Sequence, residues 1–127
     1  VVDVARKYCG EENDRITKQF RDPVISYEMN ARALKLTQRR IVEESTDGKT
    51  PGAATSIMKV VSTDLEKMQT ELMTSLRGTQ GYGWEGNGFT QAELDGSRQF
   101  LRSRAASIYS GSNEIQRNII SKGILGL

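Results

Sequence analysis

Apolar residues recur at intervals of three and four through the central third of the chain. Between Pro51 and Leu76 they are Ile57, Val61, Leu65, Met68, Leu72 and Leu76. An α-helix brings residues with this spacing onto one face, whereas a half-buried strand would require strict alternation. The spacing therefore predicts a helix from Pro51 to about Leu76, and a helix with such a stripe needs other helices to cover it.

A second long helix is predicted from Pro23 to about Glu44, because its apolar residues recur at three, four or seven positions. They are Val24, Tyr27, Ala31, Leu34 and Ile41. Asp22 can accept hydrogen bonds from the first turn, and Pro23 loses nothing where the N–H has no partner. Residues 11–21 lack a regular period and are predicted to be a connector with one helical turn at most.

Turn-forming residues separate these two helices. Positions 45–50 read Ser-Thr-Asp-Gly-Lys-Thr, and Pro51 follows as a suitable first residue of the next helix. A connection this short predicts that the two helices lie side by side in opposite directions.

Residues 1–9 also have helical spacing, and Gly10 is a suitable stop. Because this spacing is already under way at Val1, we expect the start of the first helix to be missing. An apolar groove left there would be covered by another chain or domain.

The C-terminal part predicts two further helices. Thr90 and Glu93 form the capping-box pattern ahead of a helix that ends near Tyr109. Ser112 is predicted to cap a last helix. Since no segment has a strand pattern, the whole chain, residues 1–127, is predicted to be one all-α domain, an antiparallel up-and-down four-helix bundle.

Charge and composition exclude several classes of function. The net charge is +2, from 18 basic and 16 acidic residues spread along the chain, so no concentrated patch for nucleic acid or a membrane surface is expected. There is no histidine and one cysteine, Cys9, which excludes an intramolecular disulfide, a metal site built on imidazole or thiolate, and any histidine triad. The apolar runs fall far short of the ~20 residues that span a bilayer, and a cytoplasmic protein is predicted.

The turn around Ser110, Gly111 and Ser112 has two interpretations from its residues alone. It is either a connector between helices, with Ser112 as N-cap, or an anion or carbonyl site at the positive end of the last helix. The surrounding segment reads Ile-Tyr-Ser-Gly-Ser-Asn-Glu-Ile-Gln-Arg from position 108, and the chain ends in Ile-Leu-Gly-Leu. It resembles the closing motif of the acyl-CoA dehydrogenase family, roughly Ile-Tyr-(Glu or Gly)-Gly-Thr-x-x-Ile-Gln-Arg.

The resemblance implies an FAD enzyme that removes the α and β hydrogens of an acyl-CoA and passes a hydride to the flavin. Family members have a helical N-terminal domain, a middle β domain and a helical C-terminal domain, and the resemblance covers most of the third. We therefore expect a fragment or divided subunit that is inactive alone. The implied partners are acyl-CoA, same-family subunits in a homo- or hetero-oligomer, and an electron-transfer flavoprotein; the location is the mitochondrial matrix if the source is eukaryotic.

Site residues carry over position by position. Members that place the catalytic base in this turn have Glu where this chain has Ser110, and a serine without a histidine cannot take the α-proton. No catalytic base is assigned; other members carry it at a position that would precede Val1. The resemblance implies that the N–H of Ser110 donates to the thioester carbonyl and that Gly111, Ser112 and Glu114 lie against the flavin.

The glycine-rich stretch from position 78 to position 88 is predicted to lack regular structure. Its residues Gly78, Thr79 and Gly81 resemble the family's Gly-Gly-x-Gly segment, which approaches the flavin diphosphate of a neighbouring subunit; a solvated loop is the alternative. Tyr82 and Trp84 are expected to pack on the end of the bundle rather than on a cofactor.

Two departures from the family favour an alternative function. Thr79 replaces the second glycine, and the family's Arg-x-x-Phe-Gly-x-Pro segment is represented only by Arg15 and Phe20. The chain could then be a non-catalytic assembly subunit or paralogue whose partner supplies base and flavin. Gln116 and Arg117 are predicted to be structural, with Arg117 paired to a carboxylate.

Overall fold

The computed structural model describes residues 1–10, 15–46 and 54–127, which contain five α-helices and no strand. The helices are α1 (Val2–Cys9), α2 (Arg15–Thr46), α3 (Ala54–Arg77), α4 (Gln91–Ala106) and α5 (Asn113–Ile120). A 3₁₀ turn, Gly78–Tyr82, follows α3, and a π-helical turn, Ser121–Leu125, follows α5. The predicted all-α class is confirmed. No helix in these ranges is both long and apolar enough to cross a membrane.

Helix α3 is the central element and contacts the other four helices. Lys59 of α3 bonds to Ala106 at the end of α4, whereas Thr70, further along α3, bonds to the earlier Ser103. The two helices are therefore antiparallel. The same order holds for α2, whose Leu34 lies near Val61 while its Phe20 lies near Leu72.

The contact between α3 and α4 is lined mainly by small polar side chains. Among the described residues the buried hydrophobic side chains are Leu72, Leu76 and Ala106. Thr70 is also buried and shares a hydrogen bond of 2.9 Å with Ser103. Its hydroxyl lies 3.1 Å from the carbonyl of Glu66 one turn earlier, so its polar group is satisfied within the helix pair.

The start of α2 differs from the sequence prediction. The helix begins at Arg15, so Pro23 lies in its interior and residues 15–21 are not a connector. Pro23 cannot donate to the carbonyl four residues earlier, which ordinarily ends or kinks a helix. Here Pro23 is exposed, and the half-buried Phe20 and Val24 continue the apolar stripe past it on the side that faces the neighbouring helices. Packing therefore outweighs the local proline signal.

Other boundaries agree more closely. Helix α1 matches the prediction and ends at Gly10, whose φ is 76°. Helix α4 ends at Ala106, three residues before the predicted end at Tyr109. The predicted start of α3 at Pro51 and most of the preceding turn lie in 47–53, outside the described residues.

The glycine-rich stretch is more ordered at its start than predicted, because the 3₁₀ turn folds back onto α3. The carbonyl of Gly81 accepts a hydrogen bond of 2.8 Å from the hydroxyl of Ser97 on α4. A Cβ at Gly81 would lie 2.5 Å from the carbonyl oxygen of Thr74. The turn thus closes over the end of the contact between α3 and α4.

Glu93 joins α1 to the start of α4. Its carboxylate accepts hydrogen bonds of 2.6 Å from the Tyr8 hydroxyl on α1 and 2.6 Å from the Thr90 N–H. The second bond confirms the predicted capping box. The bond from Tyr8, then those from Thr90, lower the pKa of Glu93 to about 2.

We predict that Tyr8→Phe raises the pKa of Glu93 toward its ordinary value of 4.5. A lowered folded pKa means that the ionised carboxylate stabilises the fold above pH 4.5 and that this stabilisation is lost as pH falls through about 2. The variant should therefore be less stable than wild type at neutral pH, with the difference vanishing toward pH 2. Carboxyl NMR titration and urea unfolding across this range measure both effects.

Tyr109→Phe is the matched control, because Tyr109 is exposed and takes no part in the bond to Glu93. It should leave the titration of Glu93 unchanged. An unchanged pKa in the Tyr8 variant would contradict the assignment of Tyr8 as the main cause.

Gly81→Ala is expected to destabilise the protein by about 1–3 kcal/mol, because the added methyl would overlap the backbone carbonyl of Thr74. Gly88→Ala in the same stretch is the control, since a Cβ there meets nothing within 4 Å. Urea unfolding of the two variants should separate them; equal stabilities would show that the 3₁₀ turn is not packed as described.

Candidate functional site

The turn between α4 and α5 reverses the chain with two successive residues of positive φ. Ser110 has φ 57° and Gly111 has φ 88°. Ser110 is the one residue other than glycine with a positive φ in the described ranges, and this conformation is uncommon for a residue with a side chain. The N–H of Asn113 closes the turn by donating to the carbonyl of Ser107 at 3.0 Å.

The turn presents backbone donors. Ser110 and Gly111 are exposed, and no hydrogen bond within the described part of the chain uses the N–H groups of Ser110, Gly111 or Ser112. They lie at the positive end of α5, which favours negative charge or a polarised carbonyl oxygen. This geometry fits the proposed carbonyl site.

Ser112 and Glu114 lie together at the start of α5. Ser112 is the N-cap, as predicted, and its hydroxyl accepts from the Ile115 N–H at 3.5 Å. The pKa of Glu114 is lowered by its own backbone N–H first, and then by the Ser112 hydroxyl and the charges of Arg117 and Lys59. The carboxylate of Glu114 is therefore held ionised beside the donors of the turn.

Asn113 is a site residue that the sequence analysis missed. It is 3% exposed, and its side-chain oxygen accepts from the Lys59 ammonium at 3.0 Å while its amide donates to the Thr63 hydroxyl at 3.0 Å. The same ammonium donates to the carbonyl of Ala106 at 3.1 Å. Lys59 thus ties the end of α4 and the start of α5 to α3. The partners of Asn113 lie 50 and 54 positions earlier in the chain, so no local sequence signal identifies it.

The two residues predicted to be structural have the expected kind of contact. Arg117 lies 3.7 Å from the carboxylate of Asp64 on α3. The amide of Gln116 donates to the carbonyl of Ser110 at 3.5 Å and lies close to Gly111. Gln116 therefore supports the turn from the side of α5, and Arg117 ties α5 to α3.

The 3₁₀ turn Gly78–Tyr82, the glycine turn, does not expose its three candidate residues to solvent together. Gly78, with φ 56°, and Thr79 are exposed, and a Cβ at Gly78 would meet nothing within 4 Å. Gly81 is buried between α3 and α4. Of the three, only Gly78 and Thr79 offer backbone to a ligand from solvent.

The two aromatic residues of the glycine-rich stretch are exposed. The ring of Trp84 lies 5.4 Å from the guanidinium of Arg98 on α4, so it packs on the end of the bundle as expected. Tyr82 is 75% exposed, and the expectation that it packs there is wrong.

The two candidate clusters contact α3 at different levels. Asn113 contacts Thr63, whereas the glycine turn begins directly after Arg77. Fourteen residues of helix correspond to about 21 Å at 1.5 Å per residue. A small group bound at one cluster therefore cannot contact the other on the same chain.

Comparison with known proteins agrees with these features. Residues 1–125 match the family described as acyl-CoA dehydrogenase, C-terminal domain. The chain belongs to the acyl-CoA dehydrogenase family. The family resemblance stated from the closing motif is confirmed.

Two named dehydrogenases share parts of the sequence. Acyl-CoA dehydrogenase IpdE1 of Mycolicibacterium smegmatis is 44% identical over 57 residues, which cover 45% of this chain and 14% of that protein. The protein of the same name from Mycobacterium tuberculosis is 63% identical over 30 residues, covering 24% of this chain and 8% of its own length. The matched stretches are thus a small part of each relative. No solved structure matches the chain.

The backbone of this acyl-CoA dehydrogenase domain has features that bear on the fit of FAD, the family cofactor. Free N–H groups at Ser110, Gly111 and Ser112, and the absence of a side chain at Gly111, fit a polar or anionic group approaching the turn. Gly78 also lacks a side chain and is exposed, but it directly follows the C-terminal end of α3, which carries partial negative charge, so it fits a phosphate less well than the start of α5 does. A group of three or more residues able to hold a metal ion is absent from the described ranges.

Gly111→Ala is predicted to destabilise the protein by about 1–3 kcal/mol, because φ 88° disfavours a side chain and the new Cβ would lie 2.7 Å from the Gln116 amide nitrogen. Ser110→Gly should stay within about 0.5 kcal/mol of wild type or be more stable, since φ 57° suits glycine. Urea unfolding measures both. The opposite ranking would show that the turn has another conformation.

Proposed function

We propose that the chain is the C-terminal helical domain of an FAD-dependent acyl-CoA dehydrogenase that removes the α and β hydrogens of an acyl-CoA thioester. The observation that carries this proposal is the turn of free backbone N–H groups at Ser110–Ser112, at the positive end of α5. FAD, when bound, supplies the acceptor for the hydride from the β carbon. The two similar mycobacterial proteins are named as acyl-CoA dehydrogenases, which is consistent with this reaction class.

Ser110 acts through its backbone. Its N–H donates to the thioester carbonyl oxygen, which gains negative charge as the α-proton leaves. Because the donor is fixed by the turn, it needs no rearrangement as the charge develops. Gly111 leaves room for the thioester to approach, and the Ser110 hydroxyl has no role in proton transfer.

The base comes from outside the turn. A general base near neutral pH needs a carboxylate whose pKa is raised by burial. Glu114 is exposed, and hydrogen bonds lower its pKa, so it is the wrong kind of carboxylate. We assign the base to a carboxylate supplied by sequence beyond these 127 residues or by a partner subunit.

Two clusters that adjoin α3 at Thr63 and after Arg77, about 21 Å apart along the helix axis, suit an assembly in which each chain contacts two flavins. Gly111, Ser112 and Glu114 would hold one FAD, and Gly78 and Thr79 would approach the diphosphate of the FAD in a neighbouring same-family subunit. Gly81 contributes through the shape of its turn. The 127 residues alone would then bind no flavin and have no activity.

The proposal also includes a substrate, an electron acceptor and a cellular location. The substrate is an acyl-CoA, an electron-transfer flavoprotein accepts the electrons, and the location is cytoplasmic, or the mitochondrial matrix in a eukaryotic source.

One observation favours a second candidate function. Thr79 stands where a glycine would let the backbone reach a phosphate, and Gly81 is buried and so cannot present its backbone to one. A subunit with a weakened diphosphate site would act in assembly while its partner supplies flavin and base.

The protein in its native assembly is predicted to be yellow when purified and to lose its flavin absorbance when an acyl-CoA is added without oxygen. Ser110→Ala should retain this bleaching rate within a few fold. Gly111→Val should lower it by about 100-fold or more, because it displaces the backbone donor.

A native protein that is colourless and gains flavin only with a second chain would contradict catalysis by this subunit and support the assembly function. Equal losses of bleaching in the two variants would contradict a backbone role at Ser110.

A further inference from the structure

We infer that Asn113 is the positioning residue for the backbone donors of the Ser110–Ser112 turn and that it acts through Thr63 and Lys59 of α3. Asn113 touches no substrate in this scheme. Its part in catalysis rests on the proposed function, whereas its part in holding the turn does not.

The side chain of Asn113 is fully engaged by α3. Its oxygen lies 3.0 Å from the Lys59 ammonium and 3.2 Å from the Thr63 hydroxyl. Its amide nitrogen lies 3.0 Å from the same hydroxyl and 3.4 Å from the carboxylate of Asp64. A buried amide with both ends bonded has a fixed orientation, and losing a partner would leave a buried polar group unsatisfied.

The same residue closes the turn through its backbone. The N–H of Asn113 donates to Ser107 at 3.0 Å, so the residue links the two ends of the turn while its side chain links them to α3. Lys59 adds a bond to the last carbonyl of α4 at Ala106. Both ends of the turn are therefore held by hydrogen bonds to one short segment of α3.

The two side-chain bonds made directly to Ser110 and Ser112 are weaker. The bonds from Ile115 to the Ser112 hydroxyl and from Gln116 to the Ser110 carbonyl are both 3.5 Å long and exposed. Exposed bonds at this length compete with water and fix a backbone less firmly than a buried one. The position of the Ser110 N–H relative to α3 is thus set mainly by Asn113.

Small displacements matter for a donor of this kind. A misplacement of about 1 Å can lower a catalysed rate roughly 100-fold. If Asn113 positions the donor for the transition state, its loss lowers kcat more than it changes KM. A residue that only stabilises the fold would instead lower the amount of active protein and leave the kcat of the folded fraction unchanged.

The test uses the native assembly and three variants. Asn113→Ala removes the amide, and Thr63→Val removes its partner hydroxyl with little change of volume. Asn118→Ala is the matched control, because Asn118 is an exposed asparagine on the same helix. Circular dichroism and the unfolding midpoint establish that each variant is folded.

Ser110 and Gly111 form the single Ser-Gly pair in this sequence. Labelling serine carbonyls with ¹³C and glycine amides with ¹⁵N therefore marks one peptide bond of these 127 residues in a carbonyl-filtered NMR spectrum, and the signal that disappears in Ser110→Ala identifies that bond in the native assembly. Asn113→Ala and Thr63→Val are expected to shift or broaden the Gly111 signal, and Asn118→Ala to leave it unchanged. An unaltered signal in both buried variants would overturn the inference.

Turnover of an acyl-CoA provides the second measurement. Asn113→Ala and Thr63→Val are expected to lower kcat by about 10-fold or more with a smaller change in KM, and Asn118→Ala to change neither. A shifted Gly111 signal with unchanged kcat in an active enzyme would uphold the positioning of the turn and refute its proposed catalytic role. A wild type without acyl-CoA turnover would refute the proposed function and leave the NMR result to decide the inference.

Discussion

Small hydroxyl side chains on one face of α3 allow α4 and α5 to lie against it, and the C-terminal half of the chain depends on that contact. Thr63 and Thr70 are buried there, each bonded both within α3 and across to a neighbouring helix. A large apolar side chain at either position would push the helices apart and remove the hydroxyl. The turn between α4 and α5 is therefore held by hydrogen bonds to α3 as much as by hydrophobic burial.

Periodicity predicted α3 correctly as a helix but not which of its faces would be buried most deeply. Leu72 and Leu76, at the end of the repeat, are in the core, whereas Ile57 and Val61 remain 37% and 43% exposed beside a groove of about 430 Å³ shared with α2. The threonines between them are buried instead. The spacing of apolar residues indicates which side chains avoid water. It does not predict burial of a face whose threonine hydroxyls bond to backbone carbonyls of the same helix.

The same limit explains the error at Pro23 and the omission of Asn113. Proline is a local signal for the end of a helix. Helix α2 continues past Pro23 because its apolar face packs against other helices, and no local pattern contains those contacts. Ser112 was identified as a cap because capping depends on neighbours in sequence. Asn113 acts through residues about fifty positions away on α3, so only the fold reveals it. The helix cap at Ser112 could be predicted from sequence, whereas the residues of α3 that hold the start of α5 in place could not.

In the proposed reaction, the start of α5 also explains why the donor and the base come from different elements. First-turn N–H groups and the Ser112 hydroxyl favour negative charge, which suits a carbonyl oxygen that becomes negative during proton abstraction. The same groups, with Arg117 and Lys59, lower the pKa of Glu114 and make it a weaker base. A carboxylate strong enough to take an α-proton needs burial away from such donors. In the proposed reaction, a turn that stabilises the product of proton transfer cannot also supply its base from Glu114, so the proposal requires the backbone of this domain and a carboxylate held elsewhere to meet at one thioester.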